Sequence, residues 1–221
     1  METAVTAAPR SPLSKLSALA GIVFSLSWFI GLSVWSASAE VTRTGEALLR
    51  HYSGHETRAL VQFFFTEGLP ALTLALVMAG LASRVRASGE SLLGRVILAS
   101  GLAAATISLI QFLLGAFVCL VSVPAQDAAA TKTAIDVLSR IDGVKMLIMT
   151  AFAFAAFRAI RTGKTGLPRW LAWVAAALAV TIFLSGVGFL FLLDGLSIAA
   201  YASLPLLMVW VTSVGLLVGR K

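Results

Sequence analysis

Glu67 stands in Gln62-Phe-Phe-Phe-Thr-Glu-Gly-Leu-Pro70, at the opening of a long apolar segment in which it is the only acid. A helix rising 1.5 Å per residue sets it about 12 Å beyond Arg58. An ionisable group at membrane depth is costly, and it marks function by default. No basic residue lies within one helical turn of it. Burial disfavours an unpartnered carboxylate, so Glu67 is expected to be held as the neutral acid, a proton donor awaiting an acceptor. The bland alternative is a structural ion pair with Arg140 or Lys145 from a neighbouring helix.

Other polar groups gather at a similar depth. Asp142 and Lys145 form an i,i+3 pair on one face of their segment, while Asp136 and Arg140 form an i,i+4 pair on nearly the opposite face. Buried charges are usually paired, so these pairs need do no more than ease the helix into the membrane. Alternatively, one face turns to a polar cavity and holds Asp142 in a defined charge state. Gln111 lies about 24 Å beyond Arg95 along its helix. Gln62, Glu67, Gln111, Arg140, Asp142, Lys145 and Asp194 therefore all fall in the same half of the membrane, and the other half has almost no such groups. Asp194 precedes a glycine at a helix end, so a plain surface turn competes with a site there. Trp28, Phe64 and Phe112 lie deep enough to line a cavity, where aromatic faces would stabilise a cation.

Some chemistry is excluded. Cys119 is the only cysteine, so neither an intramolecular disulfide nor a paired-thiol mechanism is available. Both histidines, His51 and His55, lie in a hydrophilic stretch, and no apolar segment offers histidine to haem or a buried metal. Their four-residue spacing is broken by Gly54, which disfavours a metal pair. Neither a metal nor a cofactor is expected.

The elements that must position these residues follow from composition. Of the 221 residues 59% are hydrophobic and 12% charged, with a mean hydropathy of +0.95. That is too apolar for a soluble domain, and the apolar runs are long enough to cross a bilayer. The predicted fold is all-α: a single transmembrane bundle over 1–221, with six spans near 16–36, 59–82, 96–122, 138–157, 170–193 and 198–219. The first run is too long for a signal core and is read as a retained span. With the N-terminus inside, the inner segments hold eleven Lys or Arg and the outer ones six. The positive-inside rule then puts both termini in the cytoplasm, in a membrane expected to be a bacterial plasma membrane. This explains the net charge of +7 without nucleic acid, which is not an expected partner. Loop 37–58 could hold a short helix through Glu46–Arg50, which would make a seventh membrane segment if it re-entered. Arg161–Pro168 superficially resembles a phosphate loop but lacks the first glycine and the preceding strand, so it reads as a basic turn. The sequence leaves the oligomeric state open.

Three functional expectations follow. The first is an enzyme acting within the membrane, in which an acid in an apolar, aromatic-lined cavity protonates an alkene or epoxide and a second polar group accepts the final proton. Here the chain resembles the small membrane-integral terpene cyclases of meroterpenoid and indole-sesquiterpenoid pathways. The matching positions are Glu67 in Phe-Phe-Phe-Thr-Glu-Gly and Asp194 in Phe-Leu-Leu-Asp-Gly. The resemblance implies cofactor-free cyclisation of an isoprenoid-like lipid through a carbocation. Fungal members are drawn with seven spans, whereas six are counted here. Leu167-Pro-Arg-Trp170 also resembles short polytopic proteins of high-GC bacteria, which implies no activity. The candidate catalytic residues are Glu67, Asp194 and Asp142; the candidate substrate-binding residues are Gln62, Phe64, Gln111, Phe112, Trp28, Arg140 and Lys145. The second expectation is a proton-coupled carrier using Glu67 and the Asp142–Lys145 pair, although no inverted repeat is visible. The third is a non-catalytic membrane partner or sensor.

Overall fold

The computed structural model describes residues 12–35 and 42–219, and among these there is no strand. Helix α1 runs Pro12–Val34, α2 Gly45–Tyr52 and α3 Glu56–Phe63. A π-helical turn, Phe64–Gly68, joins α3 to α4, Leu69–Ala87. Helix α5, Ser91–Phe117, ends in a second π turn, Val118–Ser122. Then come α6, Ala128–Arg161, α7, Trp170–Phe191, the single turn α8, Asp194–Ser197, and α9, Ala200–Gly219. Six helical stretches are long and apolar enough to cross a membrane, and they match the six predicted spans in order. The protein is an integral membrane helix bundle.

Local chemistry sets the boundaries. Asp127 caps α6 by accepting from the Ala130 amide at 2.9 Å, and Thr44 caps α2 in the same manner. Gly89 and Gly163 take positive φ just past the ends of α4 and α6, a conformation that ends a helix at little cost only for glycine. The loop helix is present, but α2 has only eight residues, about 12 Å, and cannot cross a bilayer. It packs instead against the start of α6, so close that a Cβ on Gly45 would lie 2.5 Å from the Ala128 carbonyl. Helix α6 begins ten residues before its predicted span, and its 34 residues, about 51 Å, overreach a hydrocarbon core of about 30 Å.

The six spans close into a ring. Helix α1 packs on α4, α4 on α5, α5 on α6, α6 on α7, α7 on α9, and α9 returns to α1. Glycines let backbones approach where the ring is tightest. A Cβ on Gly143 of α6 would lie 2.4 Å from the Leu190 nitrogen and 2.7 Å from the Gly186 oxygen of α7. Across the α1–α9 seam, Thr212 Oγ1 donates to the Gly21 carbonyl at 2.8 Å and lies 2.7 Å from Ser25 Oγ.

The two ends of the ring differ. Away from α2 the interior is solid, with Val77, Met78 and Leu81 packed against Phe152, Leu178 and Trp210, all fully buried. The Phe152 and Trp210 rings stack with centroids 5.7 Å apart. That end is tied by Arg84, which donates to the carbonyls of Thr165 at 2.8 Å and Leu217 at 2.9 Å. Turn 162–169 thus serves as a structural anchor. Toward α2 the interior is hollow.

Because Gly143 adjoins Asp142 and Lys145, the α6–α7 contact also sets their position. Gly143→Ala is expected to destabilise the purified protein by about 1–3 kcal/mol through overpacking, read as a lower unfolding midpoint in detergent. An unchanged midpoint would show that α6 and α7 need not approach so closely.

Candidate functional site

The hollow half encloses a cavity of about 310 Å³ to which all six spans contribute. Most of its wall is apolar: Phe24 and Trp28 from α1, Leu74 from α4, Met146 and Met149 from α6, Ile182 and Phe189 from α7, Leu204 and Leu207 from α9. Below Met149 and Leu207 lies the stacked Phe152–Trp210 layer. Leu32 and Tyr201, both exposed, stand where the cavity opens. The charged residues of this wall are Glu67, Asp142 and Lys145.

These three form one cluster. Lys145 Nζ donates to Glu67 Oε2 at 2.8 Å and lies 2.8 Å from Asp142 Oδ1. The expectation that Glu67 lacks a cationic partner is therefore corrected: its partner comes from another helix, invisible to a count along its own. Gln111 Nε2 donates to the same Asp142 oxygen at 3.0 Å, and Ser108, also on α5, shares the wall with Glu67. The three charged side chains are only 8%, 11% and 16% exposed for Lys145, Glu67 and Asp142. Two carboxylates against one ammonium leave this buried wall with an excess negative charge unless one carboxyl holds a proton.

The π turn explains how Glu67 reaches the cavity. Pro70 has no N–H to give the Thr66 carbonyl, and its ring crowds that carbonyl, so a regular α-helix cannot run through this point unchanged. The chain widens by one residue, with the Leu69 amide bonding to the Phe64 carbonyl. Thr66, Glu67 and Gly68 are buried in succession, which a regular amphipathic turn would not do, while Phe64 is swung outward and is 43% exposed. Such bulges are frequent at functional sites.

The remaining predicted residues divide. Trp28 lines the cavity, and its indole Nε1 is buried without a hydrogen-bond partner among the described residues. Gln111 is fully buried behind Asp142. Phe64 and Phe112 do not line the cavity; they meet edge-on at 6.0 Å behind the π turn, where Phe112 packs against Gly68. Gln62 is buried on α3 outside the wall, its carbonyl accepting from the Thr66 hydroxyl. Arg140 points away from the cluster and donates to the Leu190 carbonyl at 3.1 Å. Its expected partner Asp136 instead pairs with Lys132, one turn earlier on α6. Asp194 stands apart from the cavity wall and accepts from Thr42 Oγ1 at 2.5 Å. The geometry thus brings Glu67, Asp142, Lys145, Gln111 and Trp28 together and leaves Asp194, Arg140, Gln62, Phe64 and Phe112 outside the cavity.

Ser108, Tyr201 and the wall aromatics Phe24 and Phe189 are not among the residues that the sequence singles out. Ser108 precedes Gln111 by three residues, so both share a face of α5, a spacing that could have revealed it. Tyr201 falls near the start of its span, and only the closure of the ring sets it at the cavity mouth. His51 and His55 both meet Trp35, with ring centroids 5.0 and 4.6 Å away. Among the described residues no group of three or more His, Cys, Asp or Glu is placed to hold a metal ion.

Removing one member of a buried ion cluster leaves an uncompensated charge, at a cost of about 3–5 kcal/mol. Lys145→Met is therefore expected to lower the unfolding midpoint markedly. The triple variant Glu67→Gln, Asp142→Asn, Lys145→Met should recover most of the loss. Equal midpoints for wild type and Lys145→Met would mean that the ammonium does not hold the two carboxylates. No family model, curated protein or solved structure matches the chain.

Proposed function

We propose that the protein is a membrane enzyme performing cofactor-free acid–base chemistry on an apolar, isoprenoid-like substrate, with cyclisation through a carbocation as the reaction. The observation that supports this is the placing of two carboxylates and one ammonium in the wall of an apolar, aromatic-lined cavity. An unpaired buried charge is expensive, so the resting cluster is neutral: one ammonium, one carboxylate and one carboxylic acid. Glu67 is the donor, because Asp142 already accepts from both Gln111 and Lys145 through one oxygen.

The step balances within the site. The alkene electron pair of the substrate takes the Glu67 proton to form a C–H bond. The O–H electrons stay on the carboxylate, and the substrate becomes a carbocation. The negative charge left on the wall faces the positive charge in the cavity, while Lys145 continues to bond the new carboxylate. Trp28, Phe24 and Phe189 offer aromatic faces to the cation. Loss of a proton from the cyclised cation to a carboxylate of the cluster forms the product alkene and restores the starting charge state. Asp142 takes the part of the second carboxylate that the family resemblance gave to Asp194, because Asp142 is in the wall and Asp194 is not.

A proton-coupled carrier is the second reading. Lys145 on α6 reaches past α5 to Glu67 on the π turn, so protonating Glu67 would loosen a contact between elements that are not neighbours in the ring. Detergent micelles distinguish the two readings, since transport needs a sealed membrane. Purified protein with an isoprenoid alcohol or prenylated aromatic is expected to yield an isomer without added cofactor, with one deuterium incorporated when the solvent is D2O. Glu67→Gln should reduce this turnover at least about a hundredfold while the protein stays folded. Wild-type turnover by that variant would remove Glu67 as the donor, and proton-linked uptake in vesicles with no isomer in micelles would favour the carrier.

A further inference from the structure

The charge balance of the cavity wall has a consequence for binding as well as for chemistry. Glu67 comes from the π turn, and Asp142 and Lys145 from α6; α5 adds only the uncharged Ser108 to the wall, with Gln111 behind Asp142. The described wall residues of α1 and α7 carry no charge, and α9 contributes the phenol of Tyr201 at the mouth. Gln111 is fully buried behind Asp142 and stands outside the wall itself. The polar end of the cavity thus has one cation to serve two carboxylates. Its other walls are hydrocarbon and aromatic rings.

We propose that this cavity binds lipophilic organic monocations, ammonium ions with hydrocarbon or aryl arms, in exchange for the proton of the carboxylate pair. The proposal rests on the proton-holding cluster of the preceding reading but not on its catalysis. A bound proton makes the wall neutral. A bound cation does the same from within the cavity, after the proton has left to solvent. The positive centre lies against Glu67 and Asp142, and the arms fill the space bounded by Trp28, Phe24 and Phe189. An inorganic cation would gain the same charge but would forfeit its hydration against an apolar wall, so the arms give the selectivity. A neutral hydrocarbon of equal size would gain the apolar contacts without the charge.

Benzyltriethylammonium is a suitable probe because its charge is permanent and any pH dependence belongs to the protein. Titration calorimetry on full-length protein in a non-ionic detergent is expected to show one site. Affinity should fall about tenfold per pH unit on the acidic side, where each cation bound displaces one proton. The heat of binding should vary with the ionisation enthalpy of the buffer as that proton is released. Glu67→Gln and, separately, Asp142→Asn should each weaken binding by about tenfold or more. The neutral analogue (2,2-diethylbutyl)benzene should bind at least about tenfold more weakly, with no loss of affinity on acidification. Equal affinity for the neutral analogue, or cation binding unchanged by pH and by both substitutions, would overturn the proposal. Cation binding without isoprenoid turnover would sustain it and count against the enzyme, whereas turnover unaffected by the cation would sustain the enzyme and overturn the proposal.

Discussion

One ammonium, Lys145, holds carboxylates from two separate elements, and the hollow half of the ring depends on this contact. Glu67 arrives on the π turn and Asp142 on α6, and neither helix packs directly along the other in the ring order. Burying three charges in a bundle that already keeps its backbone hydrogen bonds within its helices brings no evident gain in stability, because well-packed apolar residues often serve as well or better. The helices could close over leucines, as they do in the solid half. The charged cluster and the cavity beside it occur together, at the point where the packed core stops.

The supporting structure serves that contact. Pro70 forces the wide turn that rotates Glu67 inward, and the Thr66 hydroxyl, bonded to the Gln62 carbonyl, helps to satisfy the disturbed backbone. Gly143 lets α6 lie against the backbone of α7, which fixes the helix that carries both Asp142 and Lys145. Gln111 donates to Asp142 from the other flanking helix, so that carboxylate is held from two sides. At the far end, the Phe152–Trp210 stack and the Arg84 anchor keep the ring closed while the near end stays open enough for a ligand. Rigid packing on one side and an apolar pocket on the other are what a membrane-embedded binding site requires.

Much of this was legible in the sequence, and the boundary of what was not has a physical explanation. Apolar runs and their flanking charges marked all six spans, because spanning a bilayer demands both. Depth counting put Glu67, Gln111, Asp142 and Lys145 at one level, since the rise of a helix is fixed. Which faces meet was not legible. Glu67 was judged unpartnered from its own helix, yet its partner lies 78 residues away. Asp136 and Arg140 have ideal i,i+4 spacing, but Lys132 offered Asp136 an equal spacing on the other side and the carbonyl of Leu190 drew Arg140 to α7. Phe64 lies at cavity depth, but the turn that Pro70 widens swings it outward, which depth alone does not show. Asp194 shared the depth of the others but stands at the mouth-side end of the ring, against Thr42, where depth alone does not bring it to the cavity.

Both the chemistry and the binding proposed for the cavity require that the buried wall carry a single proton on its two carboxyls. Infrared difference spectroscopy of the protein in detergent reads this directly, because a carboxylic acid and a carboxylate absorb at distinct frequencies. A protonated-carboxyl band is expected at neutral pH that disappears in the Glu67→Gln, Asp142→Asn double variant and shifts when an isoprenoid occupies the cavity. A wild-type spectrum without that band at neutral pH would mean that both carboxylates are charged, and it would contradict the account.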